Sequence, residues 1–191
     1  MKKTSALILS SLTLLALLTG CSAAQDTTLS DHGDHADHSE SMATMGESEA
    51  MFATMMIPHH QQAIDMSEMA LANSTNADVK RLAQQIIDAQ ATEIEQMQAW
   101  IEGHGHEVHG EHDMAGMASE ADLAILATLA SPEFDELFLT LMIMHHEGAL
   151  AMVSMLDDTD QAEAKELAKH IVEVQTAEIE LMNQLLTNLG S

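Results

Sequence analysis

Tyrosine is absent from this 191-residue chain, aromatic residues make up 2% of it, and cysteine occurs once, at Cys21. Basic residues are also few, with 6 Lys and Arg against 31 Asp and Glu, a formal net charge of −25 with neutral histidines. This balance argues against nucleic acid and anionic membrane surfaces as partners and suits a protein that attracts cations. One cysteine leaves no disulfide within the chain and no thiolate cluster for a metal. No motif for serine, cysteine or phosphate-loop chemistry occurs, so we do not expect an enzyme.

The first 20 residues have the pattern of a secretory signal. Lys2 and Lys3 precede an apolar run from Ala6 to Leu18, which is too short for a comfortable membrane span. The last residue of the run begins the sequence Leu18-Thr19-Gly20-Cys21, which resembles a bacterial lipobox with cleavage before Cys21 and lipid attached to its sulfur. The alternative is an ordinary signal with a chance cysteine. We therefore expect an exported protein, anchored through Cys21 at the periplasmic or extracellular face of the bacterial cell envelope.

Methionine and histidine are abundant, with 16 and 12 copies. Seven of the histidines lie in two polar segments, a flexible linker over residues 21–46 and a Gly-rich loop over residues 103–118. Short His-rich tracts often bind metal, and we predict that these two collect Cu(II). Their histidines are His32, His35 and His38 in the linker and His104, His106, His109 and His112 in the loop. The other interpretation of the linker is a solvated acidic tether.

Apolar residues at three- and four-residue spacing predict helices in the rest of the chain. We place them at about 47–71, 76–102, 120–129, 131–156 and 162–189, with Ser131 as the N-cap and Pro132 in the first turn of the fourth. Pro58 falls within the first helix, where it removes a backbone hydrogen bond and can kink the chain. The alternative is that this helix begins near Pro58.

The two halves of the chain form an internal repeat. With an offset of 86 residues, His59 to Met69 matches His145 to Met155, and with an offset of 85, Gln90 to Met97 matches Gln175 to Met182. Each repeat is a helical hairpin, over 47–102 and, after a short helix, within 119–189. One hairpin alone cannot bury its apolar stripe, so the pair predicts one all-α four-helix bundle domain over 47–189.

Imidazoles and thioethers share the helix faces of this bundle. Residues three, four and seven apart lie on one face, so one histidine of each pair points to the interior and the other lies about 100° round, at its shoulder. A methionine stripe is more often core packing, and a lone inward histidine is usually a satisfied core residue. Two histidine pairs with methionines at matching offsets instead favour a metal site. The candidate ligands are Met55, Met56, His59, His60, Met66, Met69, Glu93, Met97, Met114, Met117, Met142, His145, His146, Met152, Met155, Glu178 and Met182.

The ligand types indicate which metal is bound. Thioethers together with imidazoles favour Cu(I), for which Ag(I) is a chemical mimic, whereas Cu(II) prefers nitrogen-rich tracts. Zinc normally takes Cys, His or carboxylate ligands. A di-iron bundle uses four inward carboxylates and Glu-x-x-His motifs, and here Glu93 and Glu178 supply at most two carboxylates. Copper is therefore the predicted metal.

Four segments of the chain resemble the bacterial family named domain of unknown function 305. They read FATMMIPHHQQAIDMSEMA, QATEIEQMQAWI, FDELFLTLMIMHHEGALAMV and TAEIELMNQLL, and the resemblance covers about residues 47–189. It implies a ferritin-like four-helix bundle, and some members are described as exported copper-binding proteins. That likeness extends the ligand expectation to His59, His60, Met66, Met69, His145, His146, Met152 and Met155, and Met114 and Met117 match the family's Gly/Met segment. This chain differs from a simple member of the family in its additional His-rich tracts.

We therefore expect a protein that binds copper for sequestration, resistance or hand-over. Its expected partners are the metal ion, the membrane through the lipid anchor, and a copper-transfer protein, while a homo-oligomer stays open. One alternative is a metal-dependent oxidoreductase on the same bundle, which would need an open coordination position. The other is a structural helical adaptor whose methionines and histidines are only packing.

Overall fold

A computed structural model describes residues 46–102 and 114–190. These ranges contain helices and no strand, so the predicted all-α class is confirmed. The predicted signal segment, Cys21 and all seven histidines of the two polar tracts lie outside the described residues.

Four long helices and one short helix account for most of the described chain. Helix α1 covers Glu47–Asn73, α2 Ala77–Glu102, α3 Glu120–Leu126, α4 Glu133–Val153 and α5 Ala162–Leu189, and a 3-10 turn at Ser154–Leu156 extends α4. α1 packs against α2 and α4, and α5 packs against α4 and α2, as in a four-helix bundle. α3 ends three residues earlier than predicted, because the chain turns at Thr128 and Leu129.

The predicted cap of α4 is wrong in detail. Pro132 is the N-cap residue, and no side chain caps the helix. The Ser131 hydroxyl instead accepts a hydrogen bond from the Thr75 backbone N–H at 2.8 Å and donates one to the Asp135 carboxylate at 2.8 Å. Ser131 is thus used to tie α4 to the turn between α1 and α2, which no local helix signal could predict.

Pro58 lies within α1, which runs unbroken from Glu47 to Asn73. The alternative that the helix begins near Pro58 is therefore wrong. α1 places His59 and His60 near its middle, and α4 does the same with His145 and His146. Among the described helices, only α4 with its 3-10 extension is long and apolar enough to cross a membrane, and 56% of its most apolar 18-residue stretch is buried, which is typical of a core helix.

The core consists of two hydrophobic clusters that the histidine pairs separate along the helices. On α1, Phe52 and Met56 precede the pair and belong to one cluster, whereas Ala63 and Met66 follow it and belong to the other. α4 runs through the same clusters in the opposite order. The bundle therefore holds a layer of imidazoles between two apolar layers.

Candidate metal centre

All four paired histidines are fully buried. His59 and His145 meet across the seam between α1 and α4, with ring centroids 3.8 Å apart and ring planes inclined by 40°. Each of the four side chains has 0% exposure. The expectation that one histidine of each pair lies at the shoulder of the bundle is therefore wrong, because both members of each pair are fully buried.

The second histidine of each pair, His60 or His146, contacts a glutamate on the partner helix of its hairpin. His60 Nε2 lies 2.7 Å from Glu93 Oε2, and His146 Nε2 lies 2.7 Å from Glu178 Oε2. Glu93 is buried at 3% exposure, and Glu178 is partly buried. The same contact thus occurs in both hairpins, where the helical stripes had placed these glutamates.

The hydrogen-bond partners determine which ring nitrogen carries the proton. His59 Nε2 lies 3.0 Å from the backbone carbonyl oxygen of Ala115, which can only accept. An ionised carboxylate also only accepts, so Nε2–H is the donor in His59, His60 and His146. In a neutral ring the Nδ1 atom then carries the lone pair, and all three Nδ1 atoms are buried without a hydrogen-bond partner among the described residues. Metal-bound histidines characteristically donate the other ring N–H to a carboxylate or carbonyl in this way.

His145 differs from the other three, because both of its ring nitrogens are buried without a partner in the described part of the chain. Burial is also the main cause that lowers the pKa of His145 from 6.5 to about 2 and that of His59 to about 4. Both rings are therefore neutral at ordinary pH, which is the form of imidazole that binds metals.

The predicted methionine ligands lie on both sides of the imidazole layer. Six are buried, and each cluster holds three of them: Met66, Met142 and Met182 in one, Met56, Met97 and Met152 in the other. Met55, Met69, Met114, Met117 and Met155 are partly buried. Soft sulfur ligands are thus available above and below the histidines.

A short segment covers the seam where His59 and His145 meet. We call residues 114–118 the strap. The Gln62 side chain donates to the Ala118 carbonyl at 3.0 Å and accepts from the Ala118 N–H at 2.8 Å. A Cβ on Gly148 would lie 2.0 Å from the Ala115 carbonyl oxygen, so the strap lies directly against α4. Sequence reasoning missed Gln62 and Gly148, although a glycine in mid-helix shortly after a histidine pair indicates close backbone packing.

Sequence reasoning also missed His170. Its exposed ring places Nε2 3.8 Å from Glu93 Oε1, so Glu93 has His60 on its inner side and His170 on its outer side. Gln90 and Gln175, which share the stripes of the two glutamates, are buried at 2% exposure without hydrogen-bond partners among the described residues. In residues 46–102 and 114–190, no three His, Cys, Asp or Glu side chains are placed to hold one ion together.

Comparison with known proteins places this geometry in a family. The family described as domain of unknown function (DUF305) matches residues 49–186. No curated protein matches the chain. A protein of Streptomyces coelicolor described as a secreted DUF305 protein is 31% identical, with a TM-score of 0.71 over 75% of this chain and 94% of that one. A DUF305 fragment from Deinococcus radiodurans is 36% identical, with a TM-score of 0.69 over 75% of this chain and 97% of the fragment.

A third similar structure contains metal. CopM in its Cu(I)-bound form is 38% identical, with a TM-score of 0.64 over 73% of this chain and 96% of CopM. CopM has also been solved in Cu(II)-bound and Ag-bound forms. A protein similar to this chain over most of both lengths therefore binds copper in two oxidation states, and silver.

Proposed function

The chain belongs to the DUF305 family, and on that basis we propose that it is an exported copper-binding protein, lipid-anchored at Cys21, that sequesters Cu(I) or hands it to a partner protein. Export is supported by the signal pattern of residues 1–20 and by the secreted description of the Streptomyces relative. The similarity to CopM in its copper and silver forms supports the metal.

One observation carries the proposal, namely the set of buried imidazole nitrogens without partners. Burying an unpaired polar atom costs roughly 1–3 kcal/mol, so several together in one layer indicate a ligand that satisfies them. Three of the four rings also have their second nitrogen fixed by a carbonyl or carboxylate, as metal-bound histidines do. The flanking thioethers favour a soft ion, and Cu(I) is the soft ion that imidazole and thioether bind together.

The remaining features fit capture and release. The net charge of −25 raises the local concentration of cations at the surface. The seven histidines of the two polar tracts would bind Cu(II) as a separate set of sites beside the Cu(I) site of the bundle. Methionines on both sides of the imidazoles would let an ion exchange ligands stepwise on its way to a partner.

The test is an anaerobic Cu(I) titration against a chromogenic chelator, comparing the wild type with the variant His59→Ala, His60→Ala, His145→Ala and His146→Ala. We expect the tight site to be lost while helix content by circular dichroism is kept. Unchanged Cu(I) affinity in the variant would refute the proposal. If copper changes neither the melting temperature nor the helix content, the structural adaptor is the better account.

A gentler pair of variants tests the same site without removing a histidine. Glu93→Gln and Glu178→Gln keep the shape of the side chain but weaken the bond to the histidine N–H, so we expect roughly 10- to 100-fold weaker Cu(I) binding. Glu95→Gln and Glu180→Gln are the matched controls, because both glutamates are exposed on the same helices. Equal affinity in all four variants would show that the glutamates do not support metal ligands.

A further inference from the structure

The strap lies over the imidazole layer at the seam between α1 and α4. Its Ala115 carbonyl accepts the hydrogen bond from His59, and Gln62, three residues further along α1, holds Ala118 through two hydrogen bonds. These bonds join residues 56 positions apart in the chain. The strap is therefore fixed over the histidines by long-range side-chain contacts rather than by its own secondary structure.

Two glycines allow the strap to lie this close. Gly116 has φ +82°, a conformation that other residues rarely adopt, and a Cβ on it would lie 2.4 Å from the Met144 carbonyl oxygen. A Cβ on Gly148 would lie 2.9 Å from the Gly116 Cα. Because the atoms in the way belong to the backbone, any larger residue at Gly148 must displace the strap.

We propose that the strap is a lid over the metal site, seated on Gly148 and latched by Gln62, and that the bound ion enters and leaves when this lid lifts. The inference rests on the proposed function, since it assigns the route of exchange for the same site. Gln62 and Gly148 are positioning residues, because they act on the site through Ala115 and His59 rather than by contact with the ion.

The lid is held weakly enough to open without unfolding the bundle. Three side-chain hydrogen bonds hold it, together with the packing of Ala118 in one apolar cluster and of Met114 against the other, whereas each flanking helix contributes many side chains to these clusters. Ala115 is exposed, and Gly116 and Met117 are partly exposed. Lifting the strap removes the outer partner of His59 and uncovers the His59–His145 seam, with Met114 and Met117 on the moving segment.

A rival route exists on the opposite side of the bundle. An open surface pocket of about 370 Å³ lies between α2 and α5 and reaches Glu178; it is lined by Gln85, Ala89, Val174, Ala177, Glu178 and Leu181. An ion that entered there would reach His146 first, and its rates of entry and release would not depend on the strap.

The experiment measures the rate at which Cu(I)-loaded, full-length protein gives its copper to excess bathocuproine disulfonate under anaerobic conditions. We expect Gln62→Leu and Gly148→Ala to release Cu(I) roughly 10-fold faster or more than the wild type, because displacing the strap takes Ala115 from His59, loss of such a partner weakens metal binding about 10- to 100-fold, and weaker binding is expressed mainly as faster release. Gln61→Leu and Glu147→Ala are matched controls on the adjacent exposed positions and should release copper at the wild-type rate. Melting temperatures of the copper-free variants separate lid opening from general destabilisation.

A copper-free readout separates this inference from the proposed function. The Ala118 N–H donates a hydrogen bond to the Gln62 side chain. Hydrogen–deuterium exchange of this amide should therefore be faster in Gln62→Leu than in Gln61→Leu. If the wild type binds no Cu(I), the proposed function fails whatever the exchange result. If it binds Cu(I) tightly and both strap variants release it at the wild-type rate, the lid is refuted.

Discussion

At the scale of single residues, the chemistry of the site depends on which histidines are kept neutral. His59 and His145 have pKa values of about 4 and about 2 in the folded protein, mainly because burial penalises the charged ring. In the unfolded chain the same rings titrate near 6.5. Below that pH the unfolded chain binds protons that the folded protein does not, so stability is full above pH 6.5 and falls as the pH decreases towards 4.

This difference predicts an acid-sensitive fold whose sensitivity can be traced to one side chain. For the copper-free protein, each of these two histidines should lower the free energy of unfolding by about 1.4 kcal/mol per pH unit below 6.5. His145→Leu should reduce the slope between pH 6.5 and 4.5 by about that amount, because an apolar side chain binds no proton in either state. The measurement is urea unfolding at pH 7.5, 6.5, 5.5 and 4.5. His170→Gln, at an exposed position, is the control; a slope in His145→Leu equal to that of the wild type would contradict the assignment.

The residues of the site could be predicted from the sequence only where helical periodicity relates them. Glu93 and Glu178 share stripes with soft ligands on α2 and α5, and both do face the histidines. Ala115 could not be predicted as a partner of His59, because a backbone carbonyl carries no residue signature and the contact spans 56 positions. Whether the methionines and histidines bind an ion stays a prediction.

At the scale of elements, each hairpin is tied to the turn of the other. Glu49, in the first turn of α1 and 2% exposed, accepts a hydrogen bond from the Thr159 hydroxyl in the turn between α4 and α5. Asp135, in the first turn of α4 and 1% exposed, accepts one from Ser131, which holds the backbone of Thr75 between α1 and α2. The two ties thus link the hairpins through side-chain hydrogen bonds, in addition to the apolar packing of α1 against α4.

Breaking one of these ties should destabilise the bundle more than a similar change elsewhere. Thr159→Val keeps the size of the side chain but leaves the buried Glu49 carboxylate without that donor, at a cost of roughly 1–3 kcal/mol. Thr140→Val is the matched control, because Thr140 is exposed and bonds only the carbonyl of its own helix at Glu136. Urea unfolding at pH 7.5 measures both, and an equal loss in the two variants would show that the tie contributes nothing specific.

The helices themselves could be predicted closely, because caps, glycines and apolar spacing are local signals. The beginning and end of α2 and α5 lie within about one residue of the predicted positions. The role of Ser131 could not be predicted, since its hydroxyl accepts a hydrogen bond from the backbone of Thr75, which is distant in sequence and close only in the folded bundle. Local signals place elements, and long-range polar contacts decide how the ends of those elements are joined.

At the scale of the whole molecule, the chain combines a helical bundle that has an apolar core with polar, His-rich tracts that have no apolar period in their sequence. The bundle offers nitrogens and sulfurs that are already buried and oriented, so an ion bound there orders little further chain. The sequence predicts a flexible linker over residues 21–46, and a flexible tract gives up conformational freedom when it encloses an ion, which lowers its affinity for each ion. We therefore expect the tightest Cu(I) site in the bundle and weaker, more numerous sites, including those for Cu(II), in the tracts.

This division predicts the outcome of removing the tracts. The comparison is an anaerobic Cu(I) titration of residues 22–191 and of residues 46–191 with His104, His106, His109 and His112 changed to serine. The shortened, substituted chain should bind fewer ions in total but keep its tightest dissociation constant within a few-fold, because that site uses only buried ligands fixed by the helices. A parallel titration with Cu(II) should lose most of its binding, since nitrogen-rich tracts are its preferred ligands. If tight Cu(I) binding is lost when the tracts are removed, this view is contradicted. The histidine pairs would then be core packing, and the Cu(I) ligands would lie in the tracts.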